Sequence, residues 1–120
     1  MQAETPTTMF EELCGEQLGA VTFVQDYLQL WFDGPCINVN NPLTVESDAG
    51  KITSWQPGFR DLLCAQIAKT VAAIEHHPSI ALVLRFSDGS SLAVSLEAKD
   101  YATPEAYYAH GFADGRWAVA

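Results

Sequence analysis

The stretch Ile80-Ala81-Leu82-Val83-Leu84-Arg85-Phe86, then Ser87-Asp88-Gly89-Ser90, then Ser91-Leu92-Ala93-Val94-Ser95-Leu96 constrains the fold more than any other part of the chain. Asp-Gly between two alternating apolar runs marks a β-hairpin, because the tight turns that match strand twist need positive φ. An antiparallel sheet is therefore expected.

The same period-2 pattern begins near Leu18. Val21 and Phe23 alternate with Thr22 and Val24, and Leu28, Leu30 and Phe32 alternate with Tyr27, Gln29 and Trp31. These are read as two strands joined by a tight turn at Gln25-Asp26. The second stops at Asp33-Gly34-Pro35, where Pro removes a ladder donor. Ile37 and Val39 between Asn38 and Asn40 predict a third strand, and Asn41-Pro42 and Ser47-Asp48-Ala49-Gly50 bracket a fourth at residues 43–46. This half reads as an antiparallel meander, and residues 117–119 read as the last strand.

Helix signals are fewer. Thr8-Met9-Phe10-Glu11 matches a capping box, which predicts a short helix to Cys14 with Gly15 as its stop. Pro57 suits a first helical position, and Phe59, Leu62, Leu63 and Ile67 then share one stripe. One helix running on to Glu75 is an alternative. The β-branched pair Thr70-Val71 favours a helix to about Ala68 followed by a strand. Thr103, Pro104 and Glu105 predict a further short helix closed by Gly111, with His110 at its C-terminus. The expected fold class is α+β: a mostly antiparallel β-sheet of meander and hairpins, one main helix and short terminal helices. Residues 1–7, rich in Thr, Pro and Glu, read as a flexible N-terminus, and residues 8–120 as a single α+β domain.

Charge narrows the partners. Among 120 residues, 15 acidic side chains oppose 6 basic ones, a formal net charge of -9. Nucleic-acid binding is excluded on this ground, since affinity for a polyanion comes largely from Lys and Arg. An anionic membrane surface is disfavoured for the same reason, and the field should attract cations or a basic protein. Cys14, Cys36 and Cys64 are an odd, dispersed set without a Cys-x-x-Cys pair, so neither a disulfide framework nor a zinc ribbon is implied. With no signal-peptide core in the first ten residues and no window of 18 apolar residues, a cytoplasmic protein is the expectation.

Catalytic chemistry finds weak footholds. His76 and His77 are adjacent, so on a strand they point to opposite faces, and beside Pro78 they read as turn residues. Cys64 reads as a buried, unreactive thiol at the edge of the helical stripe. Asp26 and Asp33 lie a full strand apart, at turns where Asp serves local hydrogen bonds. The phosphate-cradling glycine loop, the Gly-x-Ser-x-Gly elbow, the His-Glu-x-x-His helix and the EF-hand loop are all missing, so no cofactor or metal is named.

Binding has a clearer basis. If Leu28, Leu30 and Phe32 face the core, Tyr27 and Trp31 occupy the opposite face of the same strand, bounded by Asp26 and Asp33. An exposed Tyr/Trp pair flanked by carboxylates suits a basic partner. The segments Phe23-Val24-Gln25-Asp26-Tyr27-Leu28-Gln29-Leu30-Trp31-Phe32-Asp33-Gly34-Pro35, Phe86-Ser87-Asp88-Gly89-Ser90-Ser91-Leu92 and Pro104-Glu105-Ala106, with the terminal Trp117 strand, resemble small bacterial domains of unknown function. Some of those domains are similar to immunity proteins that neutralise toxins of neighbouring cells. The resemblance implies a single-chain domain and supplies no catalytic residue. A non-enzymatic protein-binding module is thus the leading expectation, with a self-associating accessory domain and a small enzyme as alternatives.

The cysteine pattern makes one outcome checkable. Intact mass under non-reducing, denaturing conditions should be that of the fully reduced chain, and a loss of two hydrogens would contradict it.

Overall fold

The computed structural model of the chain describes residues 9–120, so the expected flexible N-terminus and the Thr8 cap lie outside the described residues. Ten strands follow in order: β1 (Ala20–Phe23), β2 (Leu28–Trp31), β3 (Cys36–Val39), β4 (Leu43–Ser47), β5 (Gly50–Thr53), β6 (Val71–His77), β7 (Ala81–Phe86), β8 (Ser91–Ser95), β9 (Tyr107–His110) and β10 (Ala118–Val119). An α-helix, α1 (Phe59–Cys64), lies between β5 and β6, and short 3-10 helices occupy Glu11–Leu13, Ala98–Asp100 and Ala113–Gly115. The strands form two five-stranded antiparallel sheets, ordered β1-β2-β3-β9-β10 and β5-β4-β8-β7-β6.

The hairpin at Asp88-Gly89 forms as expected and sits in the second sheet, where β8 pairs with β4 on one side and β7 on the other. Gly89 has φ +92, and the Asp88 carboxylate accepts from the Ser90 amide at 2.9 Å and its hydroxyl at 2.5 Å. Lys69 reaches the other carboxylate oxygen of Asp88 at 2.8 Å. Leu82, Leu84, Phe86, Leu92 and Val94 from this hairpin are all buried. They join Leu28, Leu30, Ile37, Val39 and Ala109 of the first sheet in one hydrophobic cluster. The two sheets therefore share a core through their inner faces, and each strand's alternate residues are turned outward.

Three expectations are corrected. First, the meander stops at β3: β4 crosses to the second sheet, where it pairs with β5 as well as β8. The apolar pattern does not announce β5, because Ile52 is the single large apolar residue in its sequence. Second, the expected short terminal helices are not borne out among the described residues. Thr103 Oγ1 donates to the Glu105 carbonyl at 2.8 Å instead of capping a helix amide. The chain then enters the first sheet as β9, because Tyr107 and Ala109 are buried while Tyr108 and His110 are turned the other way. At the other end, Glu11–Leu13 is a single 3-10 turn whose preceding residue makes no side-chain cap. Third, His76 and His77 belong to β6, with the turn starting after them. They do face opposite ways, His76 in register with Leu82 and His77 with Ala81.

The helix-then-strand reading of residues 57–77 holds, although α1 is shorter than expected. It starts after Gly58, whose φ of +87 keeps Pro57 outside the helix, and it gives way to turns ending at Ala68. The helix rests against β1, β4 and β5, where the edges of the two sheets meet. Just after the turns that leave the helix, residues 68–71 run antiparallel to residues 15–18, with Leu18 N to Lys69 O at 3.1 Å and Val71 N to Glu16 O at 2.9 Å. This pairing joins the lead into β1 to the lead into β6 and so ties one sheet to the other. Phe10 fills the end of the core edge-on to Tyr107 at 5.8 Å and Phe112 at 5.6 Å, and Glu12 bonds both Arg116 and the Ala113 amide.

Two glycines separate backbone strain from steric exclusion. A Cβ on Gly111, which has φ +80, would lie 2.5 Å from the Gly34 carbonyl oxygen, whereas one on Gly89 would meet nothing within 4 Å. Gly89→Ala should cost about 1 kcal/mol from the left-handed backbone alone. Gly111→Ala should cost about 3 kcal/mol or more, because backbone overlap adds to that strain. Urea denaturation of the two variants checks the difference.

Candidate functional site

Strand β2 builds the site because it must serve two faces. Leu28 and Leu30 enter the core, so Gln29 and Trp31 stand on the outer face of the first sheet. Pairing then decides their neighbours. Trp31 is in register with Cys36, which is in register with His110, while Gln29, Asn38 and Tyr108 form the adjoining row and Val119 ends it.

The side chains use this placement. Trp31 meets His110 edge-on at 6.5 Å, and Tyr108 stacks on His110 at 4.9 Å with the planes 23° apart. Gln29 Nε2 donates to Asn38 Oδ1 at 3.0 Å, which fixes the polar row beside the rings. Cys36 also lies on the outer face, yet it is buried between Trp31 and His110 on the flanking strands. Burial pushes its thiol up to about 11, so it stays protonated, with Asn38 Oδ1 as a weak acceptor at 3.6 Å. Trp31 remains 37% exposed and Val119 is exposed as well. The face is an aromatic patch of three rings set on paired strands.

The four residues singled out from sequence divide between two places. Trp31 is in the patch, and Asp33 is exposed on the turn just past it. Asp26 and Tyr27 precede β2 and line a separate groove together with Asn41, Trp55 and Asp100. Tyr27 lies four positions from Trp31, about 13 Å along the chain. Tyr108 escapes the sequence reading, and His110 is read there as the end of a helix, because the Thr103-Pro104 cap signal hides the alternation through β9. Trp55 escapes it because nothing in its loop is periodic.

The other candidate groups take structural roles. His77 pairs with Glu75 at 3.0 Å, and Arg85 reaches the same carboxylate at 2.5 Å. Arg85, then His77, holds the Glu75 carboxyl down at about 2. His76 is held below its ordinary range, first by burial and then by the charge of His77. Cys64 is exposed, contrary to the buried thiol expected, because α1 turns it away from Phe59, Leu62 and Leu63. Among the described residues no three His, Cys, Asp or Glu side chains converge to hold a metal ion, and no helix is long and apolar enough to cross a membrane. The chain matches no protein-family model, no curated protein and no solved structure.

The thiols report this geometry directly. In the native state a thiol reagent should titrate Cys14 and Cys64 promptly, and Cys36 only after denaturation, since reaction needs an accessible thiolate. Prompt reaction of all three would show that Trp31 and His110 do not shield Cys36.

Proposed function

We propose that the chain is a non-enzymatic protein-binding module that uses the outer face of the β1-β2-β3-β9-β10 sheet, centred on Trp31, Tyr108 and His110, to hold a basic protein. The observation that carries this reading is the exposed indole of Trp31, set against His110 on a strand paired from both sides. A large ring held by its backbone loses little freedom on binding, and such anchors dominate interface energies.

Electrostatics favours a basic partner over a second copy of the chain. A net charge of -9 repels a like molecule and attracts a cationic one. In the immunity-like form of this reading, the partner is a basic toxin that the module neutralises by covering it. The protonated Cys36 and the His77 ring hydrogen-bonded to Glu75 weigh toward binding and away from nucleophilic catalysis. Three reduced thiols suit work in the cytoplasm.

Truncating an anchor of this kind costs on the order of 2 kcal/mol in binding, while a half-exposed ring contributes less to folding than a buried one. Trp31→Ala should therefore melt within a few degrees of the wild type. It should also fail to retain a basic protein that wild-type chain captures, and the loss should be reproduced with the purified pair. A variant that unfolds much earlier while binding as before would make Trp31 a core residue and end this reading.

A further inference from the structure

We propose that the groove between Tyr27 and Trp55 is a second recognition site, which takes the charged end of an Arg or Lys side chain presented by a protein partner. It rests on the module reading only for the source of that side chain; the chemistry of the groove stands separately.

Loops that are distant in sequence converge there. Asp26 and Tyr27 come from the β1–β2 turn, Asn41 from the crossover between the sheets, Trp55 from the loop after β5, and Asp100 from the 3-10 helix after β8. The cavity of about 340 Å³ is small for a ligand site and suits one long side chain better than a folded segment.

Acceptors and aromatic rings line it beside the apolar Leu28, Val39, Pro42 and Ala102. Asp26 is exposed and has no ion-pair partner among the described residues. Asp100 accepts from Ser95 Oγ at 2.5 Å and Lys99 Nζ at 3.1 Å, and those bonds, Ser95's first, hold its carboxyl below the ordinary range. Lys99 itself projects into solvent and does not line the groove. Asn41 is only 4% exposed. Its Nδ2 donates to the Ser95 carbonyl at 2.8 Å, which leaves Oδ1 buried without a partner among the described residues. Buried polar atoms are nearly always satisfied, so an orphan acceptor on a residue that lines the groove leaves room for a donor.

Trp55 supplies the second argument. It is 51% exposed, and its φ of +68 is a conformation bulky residues rarely adopt, a cost that concentrates at ligand clamps. Phe23 at 6.4 Å and Phe59 at 5.6 Å hold the indole edge-on. The Arg60 guanidinium already lies over this ring, 5.4 Å from its centroid, and over Phe23 at 5.6 Å. The indole is thus shown to accept a guanidinium, and Arg60 lines a neighbouring cavity and not this groove. Carboxylates, an unpartnered amide oxygen and two aromatic rings together match a cation with several N–H donors on an apolar stem.

The test titrates Ac-Gly-Arg-Gly-amide, its Lys and Glu counterparts, and agmatine into the isotopically labelled full-length chain at low salt. The reporters are the Trp55 indole N–H and the Asn41 side-chain amide resonances. The Arg and Lys peptides should produce saturable shifts that weaken as salt rises, and the Glu peptide should produce none. Asp26→Asn, an exposed turn substitution, should weaken binding about threefold. Trp55→Gly, which keeps the left-handed backbone without strain, should weaken it about fivefold. Trp31→Ala should leave these titrations unchanged. Absent shifts, equal response to the Glu peptide, or wild-type binding by Asp26→Asn would overturn the proposal. Binding of agmatine without binding of the Arg peptide would overturn it too, by assigning the groove to a free amine. If the peptides fail while Trp31→Ala still abolishes capture of the basic protein, the groove proposal falls and the module reading survives.

Discussion

Burial of Leu28, Leu30, Ile37, Val39 and Ala109 against Leu43, Val45, Leu82, Leu84, Leu92 and Val94 is the interaction from which the rest of the structure follows. Side chains alternate along a strand, so committing one set inward commits the other set outward. Once β2 and β3 bury Leu30 and Ile37, Trp31 and Cys36 are neighbours on the outside, and β9 adds His110 to the same row. A slip of one residue in any of these pairings would carry apolar side chains into solvent and bring Trp31 or His110 into the core. The aromatic patch is a by-product of core packing, with a geometry as firm as the core itself.

The two sheets are held together at their margins by unlike devices. On one side, residues 15–18 pair with residues 68–71, so that the leads into β1 and β6 share hydrogen bonds before the strands part. On another, α1 lies across the edges of β1, β4 and β5. The segment around Phe10 closes the remaining end, and the Glu12 bonds to Arg116 and Ala113 fasten it to the last turn before β10. Tyr107 lies beneath Phe10, fully buried, with no partner for its hydroxyl among the described residues and its ionisation pushed up to about 12 by burial. It serves there as a large apolar ring, and its hydroxyl stays neutral.

Charge gives the two surfaces a common preference. The chain carries far more carboxylates than cations, and most of its described basic groups are occupied: Lys69 with Asp88, Arg85 with Glu75, Lys99 with Asp100, Arg116 with Glu12, and Arg60 over aromatic rings. Asp26 beside the groove and Asp33 beside the patch are exposed carboxylates outside those pairs. On the proposed reading, a partner approaching either place would meet uncompensated negative charge around an aromatic ring, which would steer cationic surfaces and offer a Lys or Arg both a carboxylate and a π-face.

Local patterning determined a good part of this protein by itself. The Asp88-Gly89 hairpin, strands β1 to β4, the helix followed by β6, and the inward set of β2 all follow from period, turn chemistry and β-branching, which act over a few residues. Tertiary structure decided the rest. It sent β4 to a second sheet and added β5, because an edge strand needs a partner more than an apolar pattern of its own. It overrode the Thr103-Pro104 cap, because burying Tyr107 and Ala109 outweighs a local helix-start signal. It also divided the residues of the candidate site. Tyr27, just before β2, and Trp31, at its end, are four positions apart, yet their neighbours, Trp55 and Asn41 for one and Cys36 and His110 for the other, come from segments whose arrival depends on sheet pairing across the whole chain. No local rule carries that information, because long-range pairing is selected by the summed burial of both sheets.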